Sequence, residues 1–159
     1  MISNPVKILM VCLGNICRSP LAEGILRHKL LEAGIKNVLV DSAGTSGWHA
    51  GQNPDQRSME NARSHGIDIS KLVARPFTKK DFEEFDYIFV MDSSNYREVI
   101  SLAKTDRHRH KVEFLLNKKW PGKNRAVPDP YFGGEAGFEQ VFQLVSQACE
   151  AIVQDLKSK

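Results

Sequence analysis

The chain has 159 residues, a formal net charge of +3, and hydrophobic and charged fractions of 42% and 26%. These values are typical of a soluble globular domain and exclude an intrinsically disordered chain. No repeat, linker or low-complexity segment divides the sequence, so we predict a single domain over residues 1–159. The positive charge comes without a long lysine or arginine tract, and we therefore expect no nucleic-acid partner.

The start of the chain and its cysteines indicate the cellular compartment. Residues 1–5 lack the charged-then-apolar pattern of a signal peptide, and the apolar run over residues 8–11 is too short to span a bilayer. The cysteines, Cys12, Cys17 and Cys149, form a low and odd count. We predict reduced thiols, a cytoplasmic location and no membrane association. No further cysteine or histidine pair has zinc-ligand spacing, so we expect no metal or other cofactor.

The first third of the chain has the pattern of a strand, a helix and a second strand. Residues 6–11 form an apolar run that ends abruptly, which predicts a buried strand. A helical pattern follows, for which Ser19 is a suitable N-cap and Pro20 a suitable first residue. The next segments predict a strand over residues 38–40 and a loop over residues 41–45.

The remainder of the chain continues to alternate between helices and strands. Helices are predicted after Asp55, near Thr78, after Asp92 and along residues 138–156, and strands over residues 87–91 and 112–116. This alternation predicts an α/β fold in three layers, with a four-stranded parallel sheet and helices on both faces. Such sheets bind ligands beyond the carboxyl ends of their strands, where Cys12 and Asp92 are expected to lie.

The segment from Cys12 to Pro20 stands between a predicted strand and a predicted helix. A helix N-terminus presents unpaired backbone N–H groups and a partial positive charge, so the loop amides can surround the oxygens of a phosphate. Gly14 and Asn15 tolerate the positive φ angles that such wrapping requires. Arg18 adds a planar guanidinium that can contact a phosphate through two hydrogen bonds. The segment therefore predicts a phosphate-binding loop.

Cys12 is expected to be a nucleophile within this loop. The positive field of the helix N-terminus favours the thiolate, which is the nucleophilic form of cysteine. The Ser19 hydroxyl can donate a hydrogen bond to this thiolate and stabilise it as a leaving group. A cysteine followed six residues later by Arg18 occurs by chance in many chains, but the same pattern with Ser19, between a strand and a helix, is far more specific. The segment lacks the lysine of a Walker motif, so nucleotide binding is not indicated.

The sequence Cys-Leu-Gly-Asn-Ile-Cys-Arg-Ser-Pro over residues 12–20 resembles the active-site loop of the low-molecular-weight protein tyrosine phosphatases. The resemblance extends over nearly the whole chain, because further segments are similar to family segments and follow in family order. These are residues 41–45, 65–67, 74–75, 86–92 and 129–131. It implies hydrolysis of phosphotyrosine and aryl phosphates through a phosphocysteine intermediate.

The resemblance also implies the roles of single residues. Cys12 would be the nucleophile and Arg18 the phosphate clamp. Asp129 would protonate the departing phenol oxygen and then act as a base towards water, a group that the chemistry requires in any case. Without the resemblance, Asp129 is one candidate among several, Asp92 included. The plainer alternative is that Asp129 only ends a turn before Pro130. The implied phosphate and substrate contacts are Leu13, Gly14, Asn15, Ile16, Cys17, Ser19, Trp48 and Tyr131.

A supporting hydrogen-bond network is also implied by the resemblance. Asn15, Ser19 and Ser42 would hold the loop in shape. Asp92 would either cap the helix that follows it or orient the loop from a neighbouring strand end. Members of the family often have a histidine that supports the loop asparagine, and this chain has Leu72 there instead. The sequence leaves open how the Asn15 network is completed.

The resemblance gives two further roles, each with a plainer alternative. Cys17 would trap an oxidised Cys12 as a disulfide, or would be only a small structural residue. Trp48 and Tyr131 would be the walls of a deep slot that accepts a phenyl ring and that phosphoserine is too short to use. The alternative for Trp48 is a surface anchor unrelated to substrate. Phe132 stands where some members carry a second tyrosine.

Three other functions compete with the phosphatase. An arsenate reductase uses the same fold, but the thioredoxin-linked kind needs two more cysteines, and none lies between Cys17 and Cys149. A phosphocysteine carrier of a sugar-transport system needs neither Arg18 nor a general acid. An inactive phosphotyrosine-binding module is disfavoured by the intact Cys12, Arg18 and Asp129. The expected partner is a phosphotyrosine-containing protein, and the expected state is a monomer or a weak dimer.

Overall fold

A computed structural model describes residues 4–131 and 134–159, so the predictions that concern residues 1–3 and Phe132 lie outside the described residues. The elements alternate along the chain much as expected. In order they are β1 (Val6–Cys12), α1 (Arg18–Glu32), β2 (Val38–Gly44), α2 (Gln56–Ser64), α3 (Asp81–Glu84), β3 (Tyr87–Val90), α4 (Ser93–Leu102), α5 (Asp106–His110), β4 (Val112–Phe114), a 3-10 helix (Leu115–Lys118) and α6 (Glu135–Lys157).

The four strands form one parallel sheet in the order β2-β1-β3-β4. Side chains of α1, α2 and α6 share a core on one face, and side chains of α3 and α4 share a core on the other. The predicted three-layer α/β fold is confirmed. Across residues 4–131 and 134–159, no helix has the length and apolarity needed to cross a membrane. The same residues hold no group of three or more His, Cys, Asp or Glu side chains arranged for a metal ion.

The central strand β1 supplies side chains to both cores. Ile8 and Met10 pack against the α1 and α6 side, and Leu9 and Val11 pack on the opposite side. All four are at most 1% exposed. Burial of such a side chain stabilises the fold by about 1.5–3 kcal/mol, so a strand covered on both faces is apolar throughout. This strand places its last residue, Cys12, at the centre of the carboxyl edge of the sheet.

The N-terminus of α1 differs from the prediction. The expected N-cap at Ser19 was wrong, because the helix begins at Arg18 and its N-cap is Cys17, which forms no side-chain capping bond. Ser19 lies inside the first turn, and its hydroxyl oxygen is 3.0 Å from the Sγ atom of Cys12. Tertiary contact with the cysteine therefore outweighs the capping preference of serine at this position.

Two predicted element boundaries also change. The loop expected over residues 41–45 was wrong for most of its length, because β2 continues to Gly44 and pairs with β1 as far as Cys12. The fourth strand ends at Phe114, and a 3-10 helix follows it. The predicted helix start after Asp55 is confirmed, since the Asp55 carboxylate accepts the N–H of Arg57. Cys149 packs in the core as expected.

A carboxylate on α6 links that helix to α2 and should make stability depend on pH. Glu139 accepts hydrogen bonds from His65, Asn61 and Gln143 at 2.7–2.9 Å. The bonds from His65 and Gln143 lower the pKa of Glu139 from 4.5 to about 2. The stabilisation of the fold by the ionised Glu139 is therefore complete above pH 4.5 and is lost as the pH falls towards 2.

We expect Glu139→Gln to lower the melting temperature at neutral pH by about 2 °C, because an ionised carboxylate that is partly exposed to solvent contributes little through its contacts. The difference from the unsubstituted protein should shrink as the pH falls below about 4.5. Thermal denaturation followed by circular dichroism between neutral and acidic pH measures this. Glu150→Gln, at an exposed position on the same helix, is the control and should have no pH-dependent effect. An equal loss at every pH would contradict the assignment.

Candidate active site

The loop that follows β1 is held against the end of β2 by backbone contacts. The N–H of Thr45 donates to the carbonyl of Cys12, and the N–H of Ser46 donates to the carbonyl of Leu13, both at 2.9 Å. A Cβ atom added to Gly44 would lie 2.8 Å from the carbonyl oxygen of Leu13. Only glycine permits this approach, so the two segments are fixed relative to each other.

The loop amides have no backbone partner. Among the described residues, the N–H groups of residues 13–17 donate to no backbone carbonyl. Asn15 adopts a left-handed conformation with a φ of 57°, as the sequence anticipated, and this helps the chain to curl, whereas Gly14 does not have a positive φ. The carbonyl of Ile16 accepts from the N–H of Asp55 at 2.8 Å, so the loop is anchored through its oxygens. Five unpaired donors at the start of α1 are suited to an anion.

Cys12 lies at the base of this loop and is 2% exposed. Its Sγ atom is 3.0 Å from the Ser19 hydroxyl oxygen and 3.4 Å from the Ser19 backbone nitrogen. Both groups can donate to a thiolate, which accepts hydrogen bonds. The structure therefore places two donors from one residue at the sulfur that the sequence identified as the nucleophile.

The polar network around Asn15 is complete without a histidine. The Asn15 side-chain amide nitrogen donates to the hydroxyls of Ser19 at 2.7 Å and Ser42 at 3.0 Å. Its carbonyl oxygen accepts the backbone N–H of Arg75 at 3.0 Å. Leu72 packs against the core instead. The network around Asn15 is thus completed by Arg75 and not by a side chain at position 72. The backbone N–H of Arg75 fixes the orientation of the Asn15 amide.

The guanidinium of Arg18 is buried and held on one side by the protein. Its Nη1 atom donates to the Asp92 carboxylate at 2.7 Å and to the carbonyl of Val127 at 2.9 Å. Burial alone would lower the pKa of Arg18, but Cys12 and Asp92 raise it, so the side chain stays charged. Asp92 also caps α4 by accepting the N–H of Asn95. The predicted cap is therefore present, and the contact with Arg18 is compatible with the second alternative, in which Asp92 orients the loop; that role stays a prediction.

Asp129 lies in the loop that precedes α6. One carboxylate oxygen accepts the N–H of Tyr131 at 3.0 Å, and the other lies 3.7 Å from the Nη2 atom of Arg18. Its side chain is 45% exposed. The Asp129 carboxylate thus reaches the loop that holds Cys12, although it is 117 positions further along the sequence.

A cavity of about 340 Å³ opens above Cys12, and most of the predicted site residues line it. Trp48 and Tyr131 line it, with 84% and 38% of their surfaces exposed. Asn15 and Ser19 were expected to contact substrate, but both are buried, Asn15 within the loop and Ser19 in the first turn of α1, and neither is among the described lining residues. The described lining residues are Cys12, Leu13, Gly14, Ile16, Cys17, Arg18, Ser46, Trp48, His49, Asp129 and Tyr131.

The two cysteines of the loop have different environments. Burial raises the pKa of the Cys17 thiol, so this group stays protonated at neutral pH. Its carbonyl accepts the Ser58 hydroxyl, and its side chain packs with Ala74 and Phe138. Cys17 is therefore unsuited to be the nucleophile, and its redox role stays a prediction.

Sequence reasoning missed several residues of the site. Ser46 and His49 line the cavity, and the adjacent Trp48 was the available signal for both. The backbone groups of Arg75 and Val127 gave no signal, because backbone donors and acceptors are present in every residue. Glu23 could have been noticed as a carboxylate on the apolar side of a helix, where it is 2% exposed.

Comparison with known proteins supplies independent information. The family model for low molecular weight phosphotyrosine protein phosphatase matches residues 7–159. A phosphatase of that description from Schizosaccharomyces pombe is 44% identical over 143 residues, which are 88% of this chain and 90% of that protein. The crystal structure of a protein tyrosine phosphatase from Entamoeba histolytica has a TM-score of 0.90 and 37% identity, covering 96% of this chain and 97% of that one. A Drosophila arginine phosphatase has a TM-score of 0.88 and 34% identity, with 96% and 98% coverage.

Proposed function

The chain belongs to the low molecular weight phosphotyrosine protein phosphatase family and is a hydrolase of that kind, and from this premise we propose that phosphate is transferred through Cys12. The observation that carries the proposal is the position of the Cys12 sulfur at the base of a loop. The five amides of this loop, over residues 13–17, have no backbone partner within the described part of the chain. Such donors stabilise the negative charge on the transferring phosphoryl group.

The first step is attack by the Cys12 thiolate on phosphorus. A sulfur–phosphorus bond forms as the bond from phosphorus to the tyrosine oxygen breaks. Asp129 donates its proton to that oxygen, so tyrosine leaves as a neutral phenol. Arg18 and the loop amides bind the three remaining phosphoryl oxygens. The anchoring of Arg18 by Asp92 and Val127 supports this role, because a pre-oriented guanidinium loses little freedom when the phosphate binds.

The second step is hydrolysis of the phosphocysteine. The Asp129 carboxylate takes a proton from a water molecule, whose oxygen attacks phosphorus. The sulfur–phosphorus bond breaks, inorganic phosphate forms, and Cys12 returns to the thiolate. Donation from the Ser19 hydroxyl to Sγ, at 3.0 Å, makes the thiolate a better leaving group in this step.

Selectivity for tyrosine would come from the shape and lining of the cavity. Leu13, Ile16, Trp48 and Tyr131 supply apolar surface above the thiol, which suits a phenyl ring. Phosphoserine has no ring to fill this space and is too short to carry its phosphate to the loop. The likeness to an arginine phosphatase makes phosphoarginine the second substrate to test.

We expect Trp48→Ala to raise KM for a phosphotyrosine peptide by about five- to tenfold and to change kcat little. The ring would be lost from ground-state and transition-state binding alike. Because Trp48 is 84% exposed, the substitution should leave the fold intact. Leu31→Ala removes another exposed apolar side chain, 78% exposed, at the end of α1 opposite to the loop, and should have no kinetic effect. Unchanged KM in the Trp48 variant would instead make this residue a surface anchor.

The direct test is an assay of purified reduced protein in the presence of a chelator. Peptides that carry phosphotyrosine, phosphoserine or phosphoarginine are compared, with arsenate reduction measured in parallel. Release from phosphotyrosine alone, blocked by vanadate, supports the proposal. Preferred release from phosphoarginine, or clear reduction of arsenate, would overturn it. The family match does not favour the arsenate reductase or the phosphocysteine carrier.

We further propose that the enzyme acts in the cytoplasm on a phosphotyrosine-containing protein, as a monomer or a weak dimer. The three cysteines are all free thiols in the structure, which supports a reducing compartment. Cys17 lines the same cavity as Cys12, which supports its predicted role as the partner that traps an oxidised nucleophile.

A further inference from the structure

A basic loop, residues 118–125, lies between the 3-10 helix and α6. It contains no carboxylate and four cations, which are Lys118, Lys119, Lys123 and Arg125. Lys118 pairs with Asp155 on α6. The other three side chains are exposed, and none of them forms an ion pair in the part of the chain that the structure describes. One short loop therefore presents three positive charges to solvent.

Side-chain contacts hold the basic loop in one shape. The Asn117 side-chain nitrogen donates to the Asn124 side-chain oxygen at 2.8 Å, and the Asn117 side-chain oxygen accepts the backbone N–H of Asn124 at 2.9 Å. The guanidinium carbon of Arg125 lies 4.2 Å from the centre of the Trp120 ring, which packs against the core. Stacking on the ring orients the guanidinium and leaves the N–H groups in its plane available for hydrogen bonds.

The basic loop is joined to the active site through Val127. The N–H of Val127 donates to the carbonyl of Met91 at 2.7 Å, and its carbonyl accepts from the Nη1 atom of Arg18 at 2.9 Å. Arg125 precedes Val127 by two positions, and Asp129 follows it by two. Because an extended chain spans at most about 3.6 Å per residue, the Cα atoms of Arg125 and Asp129 are at most about 14 Å apart. An extended substrate peptide covers the same distance in about four residues.

We propose that the basic loop binds an acidic segment of the substrate protein that lies within about four residues of the phosphotyrosine, with Arg125 as the main contact. This inference rests on the proposed function, because it places the phosphotyrosine in the cavity above Cys12. A planar guanidinium can hold a carboxylate through two hydrogen bonds, and Lys119 and Lys123 add a positive field that attracts the same group. Since the loop is held in shape before binding, little conformational freedom is lost when the substrate docks.

The preference for acidic substrates is measured as a ratio of kcat/KM values. Two series of phosphotyrosine peptides place glutamates before or after the phosphotyrosine, within about four positions, and matched peptides carry glutamines instead. In at least one series, the acidic peptide should be favoured by about tenfold at low ionic strength, mainly through a lower KM. The ratio should fall towards one in about 1 M salt, because the Debye length is then only about 3 Å.

Arg125→Met should lower this ratio by about threefold, whereas Arg125→Lys should keep most of it because the charge is retained. A general loss of activity affects both peptides alike, so a merely structural effect of the substitution would not change the ratio. Lys36→Met removes an exposed cation just beyond the end of α1 opposite to the active-site loop, and this control should leave the ratio unchanged. Equal kcat/KM values for acidic and neutral peptides in both series, or an unchanged ratio in Arg125→Met, would overturn the inference.

Binding to Cys12→Ser protein separates this inference from the proposed function. The Kd values of the same peptides, measured by calorimetry, should show the same preference for acidic peptides, since binding needs no turnover. If the unsubstituted protein hydrolyses none of the peptides, the proposed function is refuted, and the Kd values still decide the role of the basic loop. Equal Kd values for acidic and neutral peptides would overturn that role.

Discussion

Cys12→Ser abolishes hydrolysis of phosphotyrosine, lowering kcat by at least about 10⁴-fold, while the folded protein still binds phosphate. A serine hydroxyl is not ionised at neutral pH and cannot replace the thiolate as a nucleophile. The phosphate site persists because it is made by Arg18 and by backbone amides that the substitution leaves in place. The measurement is release of phosphate from a phosphotyrosine peptide by purified protein, with phosphate binding followed by calorimetry.

Cys149→Ser is the matched control for this prediction. It removes a thiol that is buried in the core between α1 and α6, away from the cavity, and it should retain activity. Substantial turnover by Cys12→Ser would refute the nucleophile assignment. Loss of both turnover and phosphate binding in a correctly folded Cys12→Ser protein would instead show that the loop depends on the sulfur for its shape.

Asp129→Ala should lower the rate of hydrolysis of phenyl phosphate by about 10²–10³-fold. The phenolate formed from this substrate leaves poorly without a proton. The first step should be affected far less for p-nitrophenyl phosphate, because its phenol is much more acidic and needs no proton donor. That substrate should then give a burst of nitrophenol, because the second step still lacks its base. Stopped-flow absorbance measures the burst.

The control for Asp129→Ala is Asp106→Ala, which removes an exposed carboxylate at the start of α5. It should neither slow the hydrolysis of phenyl phosphate nor produce a burst of nitrophenol. Equal losses in the rate of the first step for the two aryl phosphates would remove the general-acid role of Asp129. Asp129→Ala also tests the alternative function of a phosphocysteine carrier, because a carrier that passes phosphate to a partner has no step that requires Asp129. Transfer that is unimpaired by the substitution would favour the carrier.

The central chemistry could be predicted because its residues are close in sequence. Cys12, Arg18 and Ser19 span eight positions between a strand and a helix, and the local pattern defines both the loop and its contents. Asp129 needed the resemblance to the family, since nothing local distinguishes it from other carboxylates. Its approach to Arg18 results from the path of the chain before α6, which no pattern of hydrophobic residues specifies.

The surroundings of the loop could not be predicted, for two physical reasons. Arg75 and Val127 contribute backbone atoms, and every residue has these, so the side-chain sequence carries no mark of the contact. Segments 41–44 were mistaken for a loop because polar and small residues have low strand propensity, and pairing with β1 overrides that preference. Ser19 was mistaken for a cap because serine often caps helices, whereas here its hydroxyl lies at the Cys12 sulfur.

The central claim, that phosphate passes through Cys12, is tested most directly by trapping the intermediate. Asp129→Ala protein is mixed with p-nitrophenyl phosphate and quenched within the burst, and its peptides are analysed by mass spectrometry. We predict one phosphoryl group on the peptide that contains Cys12, with none in Cys12→Ser carried through the same procedure. Phosphate on another residue, or a burst of nitrophenol without any phosphorylated peptide, would contradict the account.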